Sequence, residues 1–142
     1  MSVSGGCQCG AVRYRVEGGL ENPHLCHCRM CQKAAGNYFM PLAGAVRQKI
    51  VVTRGEPGWF HSSDIVRRGF CAKCGSTLVW QIKGGKHQSV SAQAFEDPSV
   101  FEFRSQIFFD EKPSNFDFAN ETRNMTGAEV MAMYAPKSEG AQ

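Results

Sequence analysis

An all-β domain with a short C-terminal helix, held together by bound metal, is predicted from three features of this 142-residue chain. Seven cysteines fall into three close groups, Cys7 with Cys9, Cys26 with Cys28 and Cys31, and Cys71 with Cys74. Apolar residues recur in short runs broken by Gly and Pro, the pattern of many short strands. Only one stretch, Thr126 to Tyr134, combines a capping-box start (Thr-Gly-Ala-Glu) with apolar residues at helical spacing.

Taken in order, Ala11 to Val16 alternates and reads as a strand beginning just after the first Cys pair. Glu17 to His24 is a Gly- and Pro-containing loop into the central cluster, and Gln32 to Gly36 makes one helical turn after it. Strands are expected at Tyr38 to Ala43, Lys49 to Thr53, Trp59 to His61 and Ile65 to Phe70. Cys71-Ala72-Lys73-Cys74-Gly75 forms a tight knuckle, because Gly75 can take the positive φ that turns backbone amides toward a sulfur. Leu78 to Ile82, Ser89 to Phe95 and Val100 to Phe109 complete the strands. The domain runs over residues 1–120, followed by the helix and a polar tail over 121–142.

Composition narrows the function. The hydrophobic fraction of 42% and charged fraction of 20% are those of an ordinary globular chain. No apolar run is long enough to span a bilayer, and Met1 to Gly6 lacks the basic-then-apolar pattern of a signal peptide. A cytoplasmic location is expected, where clustered thiols hold metal rather than disulfides. The net charge of +3 is spread along the chain, with no basic arm, which argues against a nucleic-acid partner.

The cysteine count suits two metal sites better than disulfides, since pairing seven would leave one over. Cys7, Cys9, Cys71 and Cys74 can supply the four thiolates of a closed structural zinc. Cys26, Cys28 and Cys31 offer three ligands, and a zinc held by three keeps a position for substrate. Two zinc ions per chain follow. Closure of the second site by His24 or His27, or cysteines without metal, are the alternatives. His27 lies between two ligands, where its side chain points away from the ion, and it is the candidate proton-handling residue. Arg29 and Lys33 flank the site as candidate substrate-carboxylate binders, with solvated surface charge as the plain alternative. The Phe-rich run from Phe101 to Phe118 is read as core or homodimer contact.

The combined pattern resembles the family of glutathione-dependent formaldehyde-activating enzymes and their centromere-protein-V-like relatives. The residues that carry the resemblance are Gly6-Cys7-Gln8-Cys9-Gly10-Ala11-Val12, Cys26-His27-Cys28-Arg29-Met30-Cys31, Arg68-Gly69-Phe70-Cys71-Ala72-Lys73-Cys74-Gly75-Ser76 and Phe95-Glu96-Asp97-Pro98. The resemblance implies an Mss4-like fold of coiled antiparallel sheets (a β-tent) around a structural zinc on Cys7, Cys9, Cys71 and Cys74. It also implies a catalytic zinc on Cys26, Cys28 and Cys31, and a carbon-sulfur lyase joining glutathione, or a similar thiol, to a small aldehyde such as formaldehyde. His27 is then the acid that protonates the new oxygen. Relatives often carry His where this chain has Gln106, and Trp after the Pro that is Pro113 here, so a different substrate is implied if those residues shape the pocket. The rival class is a non-catalytic zinc-stabilised binding module or thiol carrier, for which the Cys26, Cys28, Cys31 cluster would have no task.

Overall fold

Strict alternation of side chains builds the first sheet. In the computed structural model, which describes residues 2–18, 22–36, 41–43, 49–84 and 87–134, strand β2 (Arg13–Glu17) buries Tyr14 and Val16 and leaves Arg13, Arg15 and Glu17 half-exposed. It lies between β1 (Ser2–Gly6) and β5 (Lys49–Arg54), antiparallel to both. Gly5 bridges to Phe95, and a Cβ there would stand 2.6 Å from the Ala94 carbonyl oxygen, so only glycine permits the approach. Phe95 meets Tyr14 edge to face at 5.6 Å, and Glu96 pairs with Arg13.

The second sheet has five antiparallel strands in the order β4 (Pro41–Ala43), β9 (Gln88–Ser91), β8 (Thr77–Ile82), β7 (Val66–Phe70) and β6 (Gly58–His61). Its inner residues Leu78, Val79 and Val90 join Val12, Tyr14, Val16, Ala92 and Phe95 in the main core. Cys7 and Cys71 sit in that core, so these cysteines are part of the packing. Trp59 packs against this core from β6, and Arg67 stacks on its ring at 3.7 Å.

The third sheet departs from the expected antiparallel plan. β3 (His24–Cys26), β10 (Ser105–Ile107) and β11 (Arg123–Met125) are three residues each and run parallel, with Cys26 beside Ile107 and Leu25 beside Gln106. β11 pairs with β10, so Arg123–Met125 lies in the same sheet as β3. Other boundaries move. The helix after the central cluster, α1, covers Arg29–Ala35 and ends on Gly36 at φ 71°. The expected strand over Ser89 to Phe95 becomes β9 and a 3-10 turn at Ala92–Ala94, and Val100 to Phe109 keeps only β10, flanked by 3-10 turns at Pro98–Val100 and Phe109–Glu111. The expected strand residues Tyr38 to Met40 and the polar tail lie outside the described residues.

Helix α2 (Gly127–Tyr134) forms where the capping box places it: Glu129 N–H donates to Thr126 Oγ1 at 3.2 Å, and Thr126 N–H donates back to Glu129 Oε1 at 3.0 Å. Gly127 packs so closely on Phe108 that a Cβ would lie 2.8 Å from its ring. No helix among the described residues is long and apolar enough to cross a membrane.

A pH dependence follows from this cap. The Thr126 N–H, then its hydroxyl, hold the Glu129 carboxyl below its ordinary value. A carboxylate lowered in the folded state contributes stability above its unfolded pKa of roughly 4.3, and that contribution fades as pH falls through the lower folded value. Amide protection across 127–134, measured against the intrinsic exchange rate at each pH, is expected to fall on acidification below about pH 4.3 in the native chain. Glu129→Gln should flatten that dependence, and Thr126→Ala should cost about 1 kcal/mol at neutral pH. Equal acid profiles for native and Glu129→Gln would contradict the assignment.

Candidate metal centre

Two turns of the same shape build the four-cysteine cluster. In each, a glycine at positive φ closes the turn: Gly10 (φ 81°) donates to Cys7 O at 3.2 Å, and Gly75 (φ 78°) donates to Cys71 O at 2.8 Å. Val12 N–H donates to Cys7 Sγ at 3.2 Å. The hydroxyl of Ser76, 3.2 Å from Cys74 Sγ, and the Ser76 N–H hold the Cys74 thiol down to about 5. The sulfurs of Cys7 and Cys9 are 3.6 Å apart and those of Cys9 and Cys71 3.7 Å apart. A disulfide needs about 2.05 Å. A tetrahedral ion with metal–sulfur bonds of about 2.3 Å needs sulfurs about 3.8 Å apart, so this donor set fits such an ion.

The second cluster stands at the junction of β3 and α1. Cys26 ends β3, Cys28 caps α1 by accepting the Cys31 N–H at 3.3 Å, and Cys31 lies in the first turn of the helix, with all three sulfurs within 4.8 Å of one another. Cys26 and Cys31 are buried and Cys28 is half-buried. Hydrogen bonds from Cys26 and then Cys31 hold the Cys28 thiol far down, and contacts with Cys28 and then Cys31, with burial, push Cys26 far up. Three touching sulfurs cannot all carry charge without a cation among them, and soft donors so placed suit a thiophilic metal. Among the described residues no fourth Cys, His, Asp or Glu joins this group. Both clusters anticipated from the sequence are therefore assembled, and each could hold a metal ion.

A cleft of about 380 Å³ opens beside Cys26, its wall also including His27, Arg29, Gln32, Lys33 and Phe116. Arg29 and Lys33 are exposed at its edge. The Arg29 guanidinium reaches Gln32 Oε1, and Arg29 N–H donates to Glu111 Oε1 at 3.1 Å, tying α1 to the Phe109–Glu111 turn.

His27, the candidate proton-handling residue, is enclosed by aromatic side chains. It is 1% exposed, with the rings of Phe109, Phe116 and Phe118 at 6.1, 6.1 and 6.4 Å. Gln106 Nε2 donates to Thr122 Oγ1 at 2.8 Å, and that hydroxyl donates to Asn124 Oδ1 at 2.6 Å. Gln106 Oε1 is thus the acceptor for His27 Nε2–H at 2.7 Å, which fixes the tautomer. Burial, aided by Lys112, outweighs this acceptor and keeps His27 below its ordinary pKa. A neutral imidazole whose N–H is already donated is poorly placed to give up a proton.

Arg68 received no role from the sequence, yet it is buried on β7 with both Nη atoms near Cys31 Sγ. A charged residue two positions after inward Val66 and three before Cys71 was the available signal.

Comparison with known proteins agrees with this arrangement. The chain is 35% identical over 131 residues to an uncharacterized lyase of Schizosaccharomyces pombe, covering 89% of this chain and 93% of that one. It is 34% identical over 87 residues, 55% of each chain, to a Halomonas elongata protein named "Putative glutathione-dependent formaldehyde-activating enzyme". A crystal structure of a Rhodobacter sphaeroides protein matches the fold with a TM-score of 0.53 at 18% identity, over 72% of this chain and 98% of that one. The family model for glutathione-dependent formaldehyde-activating enzymes matches residues 2–111. With the model spanning most of the chain and the S. pombe lyase aligned over nearly its full length, the chain belongs to the glutathione-dependent formaldehyde-activating enzyme family.

Proposed function

We propose that the chain is a zinc-dependent carbon-sulfur lyase that forms and cleaves the bond between glutathione, or a similar small thiol, and a small aldehyde. Cys7, Cys9, Cys71 and Cys74 hold a structural zinc, and Cys26, Cys28 and Cys31 hold a second. The observation that carries the reading is the trio itself: three sulfur donors with no fourth Cys, His, Asp or Glu joining them among the described residues, one of them, Cys26, in the wall of a cleft edged by two cations. When bound there, zinc supplies an open Lewis-acidic position that acidifies a thiol.

The chain's own residues bind and orient. Arg29 and Lys33 attract the carboxylates of the thiol and aim its sulfur toward the trio. In the forward direction the thiol gives its proton to solvent in the cleft. Its sulfur forms the C–S bond as the carbonyl π electrons move to oxygen, and the oxygen takes a proton from solvent. His27 holds the strand-to-helix corner between Cys26 and Cys28 through Gln106 and the three phenylalanines, a positioning role in place of the acid role expected from the sequence.

The test is formation of the hydroxymethyl thioether from glutathione and formaldehyde, followed by NMR against the uncatalysed rate. Acceleration by the native chain that is lost with Cys28→Ser supports the lyase; rates equal to the uncatalysed reaction with every thiol and aldehyde tried would favour a binding module. Arg29→Ala and Lys33→Ala are each expected to raise KM for glutathione roughly tenfold with little change in kcat, the signature of lost uniform binding. An unchanged KM in both would remove them from the site.

A further inference from the structure

We propose that Arg68 is the positioning residue of the trio, fixing the Cys31 sulfur and offsetting the negative charge that the loaded site carries. The inference rests on the reading of the trio as a metal site. Arg68 is 6% exposed, and its Nη1 and Nη2 lie 3.7 and 3.6 Å from Cys31 Sγ, itself 4% exposed. No carboxylate pairs with it among the described residues, and its buried Nε meets no acceptor there. A buried guanidinium without a carboxylate is costly, so the sulfur is the counter-charge that explains its place. Trp80, its cross-strand neighbour on β8, packs against the Cys26 and Cys31 cluster too, so the β7–β8 face is what delivers the cation.

Charge counting gives the role its size. Three thiolates around a divalent ion leave a net charge of −1, and a fourth sulfur anion from substrate makes it −2. A fixed cation on one of the three sulfurs stabilises both states, and its two donors hold that sulfur at a set angle. Groups that hydrogen-bond to metal ligands are worth roughly 10–100-fold in metal affinity. Arg68 touches the ligand and is not placed against substrate.

The test compares native, Arg68→Met and Arg68→Lys chains by competition with a chromophoric chelator and by the sulfur-to-metal charge-transfer bands after cobalt substitution. The four-cysteine cluster in the same chain is the internal control. Arg68→Met is expected to lose roughly 10–100-fold of affinity at the trio with the four-cysteine site unchanged, and Arg68→Lys to recover most of it with a shifted trio band. Native affinity at the trio in folded Arg68→Met would overturn the proposal. Should Arg68→Met release both metals, Arg68→Lys decides: a trio band and affinity identical to native would overturn it. If the native chain binds metal at the trio but does not respond to glutathione, the lyase reading fails while the Arg68 comparison stands. A native chain with no metal at the trio overturns both.

Discussion

Replacing Cys71 by serine is expected to abolish the fold, not only the activity. Cys71 is 1% exposed and belongs to the main core. Its sulfur lies 3.7 Å from that of Cys9, 62 positions earlier, so a metal there ties the turn before β2 to the turn between β7 and β8. Structural zinc contributes on the order of 10 kcal/mol to folding, and a domain of this size is stable by only about 5–15 kcal/mol in all. Loss of the ion removes most of that margin. Serine also leaves a poor ligand and a hydroxyl in an apolar setting. Circular dichroism on heating should reveal no cooperative transition in Cys71→Ser. A variant that melts within a few degrees of the native chain would show that the cluster is dispensable packing.

Cys28→Ser is expected to do the opposite: keep the fold and lose the chemistry. The sulfur of Cys28 caps α1, and a serine hydroxyl is at least as good an acceptor for the Cys31 N–H. Cys28 is also the least buried of the trio, so its replacement leaves no cavity. The second metal should be lost. Lewis-acid assistance is worth several kcal/mol, and each 1.4 kcal/mol is tenfold in rate, so lyase activity should fall by at least about 100-fold. Metal analysis together with the NMR assay checks this. Activity within twofold of native, with metal content unchanged, would move the reaction away from the trio.

The clusters were legible in the sequence because their members fall into close groups along the chain. Ligand spacing and a glycine after each pair are short-range requirements, and Gly10 and Gly75 take the positive φ that they imply. The same holds for α2, whose start is written in Thr126 and Glu129. What escaped depends on distant partners. β3, β10 and β11 are three residues each, too short for alternation to register, and their parallel pairing joins segments about 80 and 20 residues apart. Phe101 and Phe103 suggested a strand, but Asp97 caps a 3-10 turn before them and Phe108 takes φ 51° after them. α1 began earlier than expected because Arg29, Met30 and Cys31 read as ligand loop, while the Cys28 sulfur acts as the cap that lets the helix start there. The surroundings of His27 and Arg68 were invisible for the same reason, since Gln106 and Cys31 are 79 and 37 residues from them.

The most direct test of the central claim is a glutathione titration of the native chain carrying cobalt at both clusters, followed by sulfur-to-cobalt absorption. An ion held by the four-cysteine group would be closed by four sulfurs, whereas one held by the trio would have room for one more. The expected result is a saturable gain in charge-transfer intensity at one glutathione per chain, absent in S-methylglutathione. A spectrum unmoved by glutathione would mean that the trio takes no thiol, and the proposed function would fall with it.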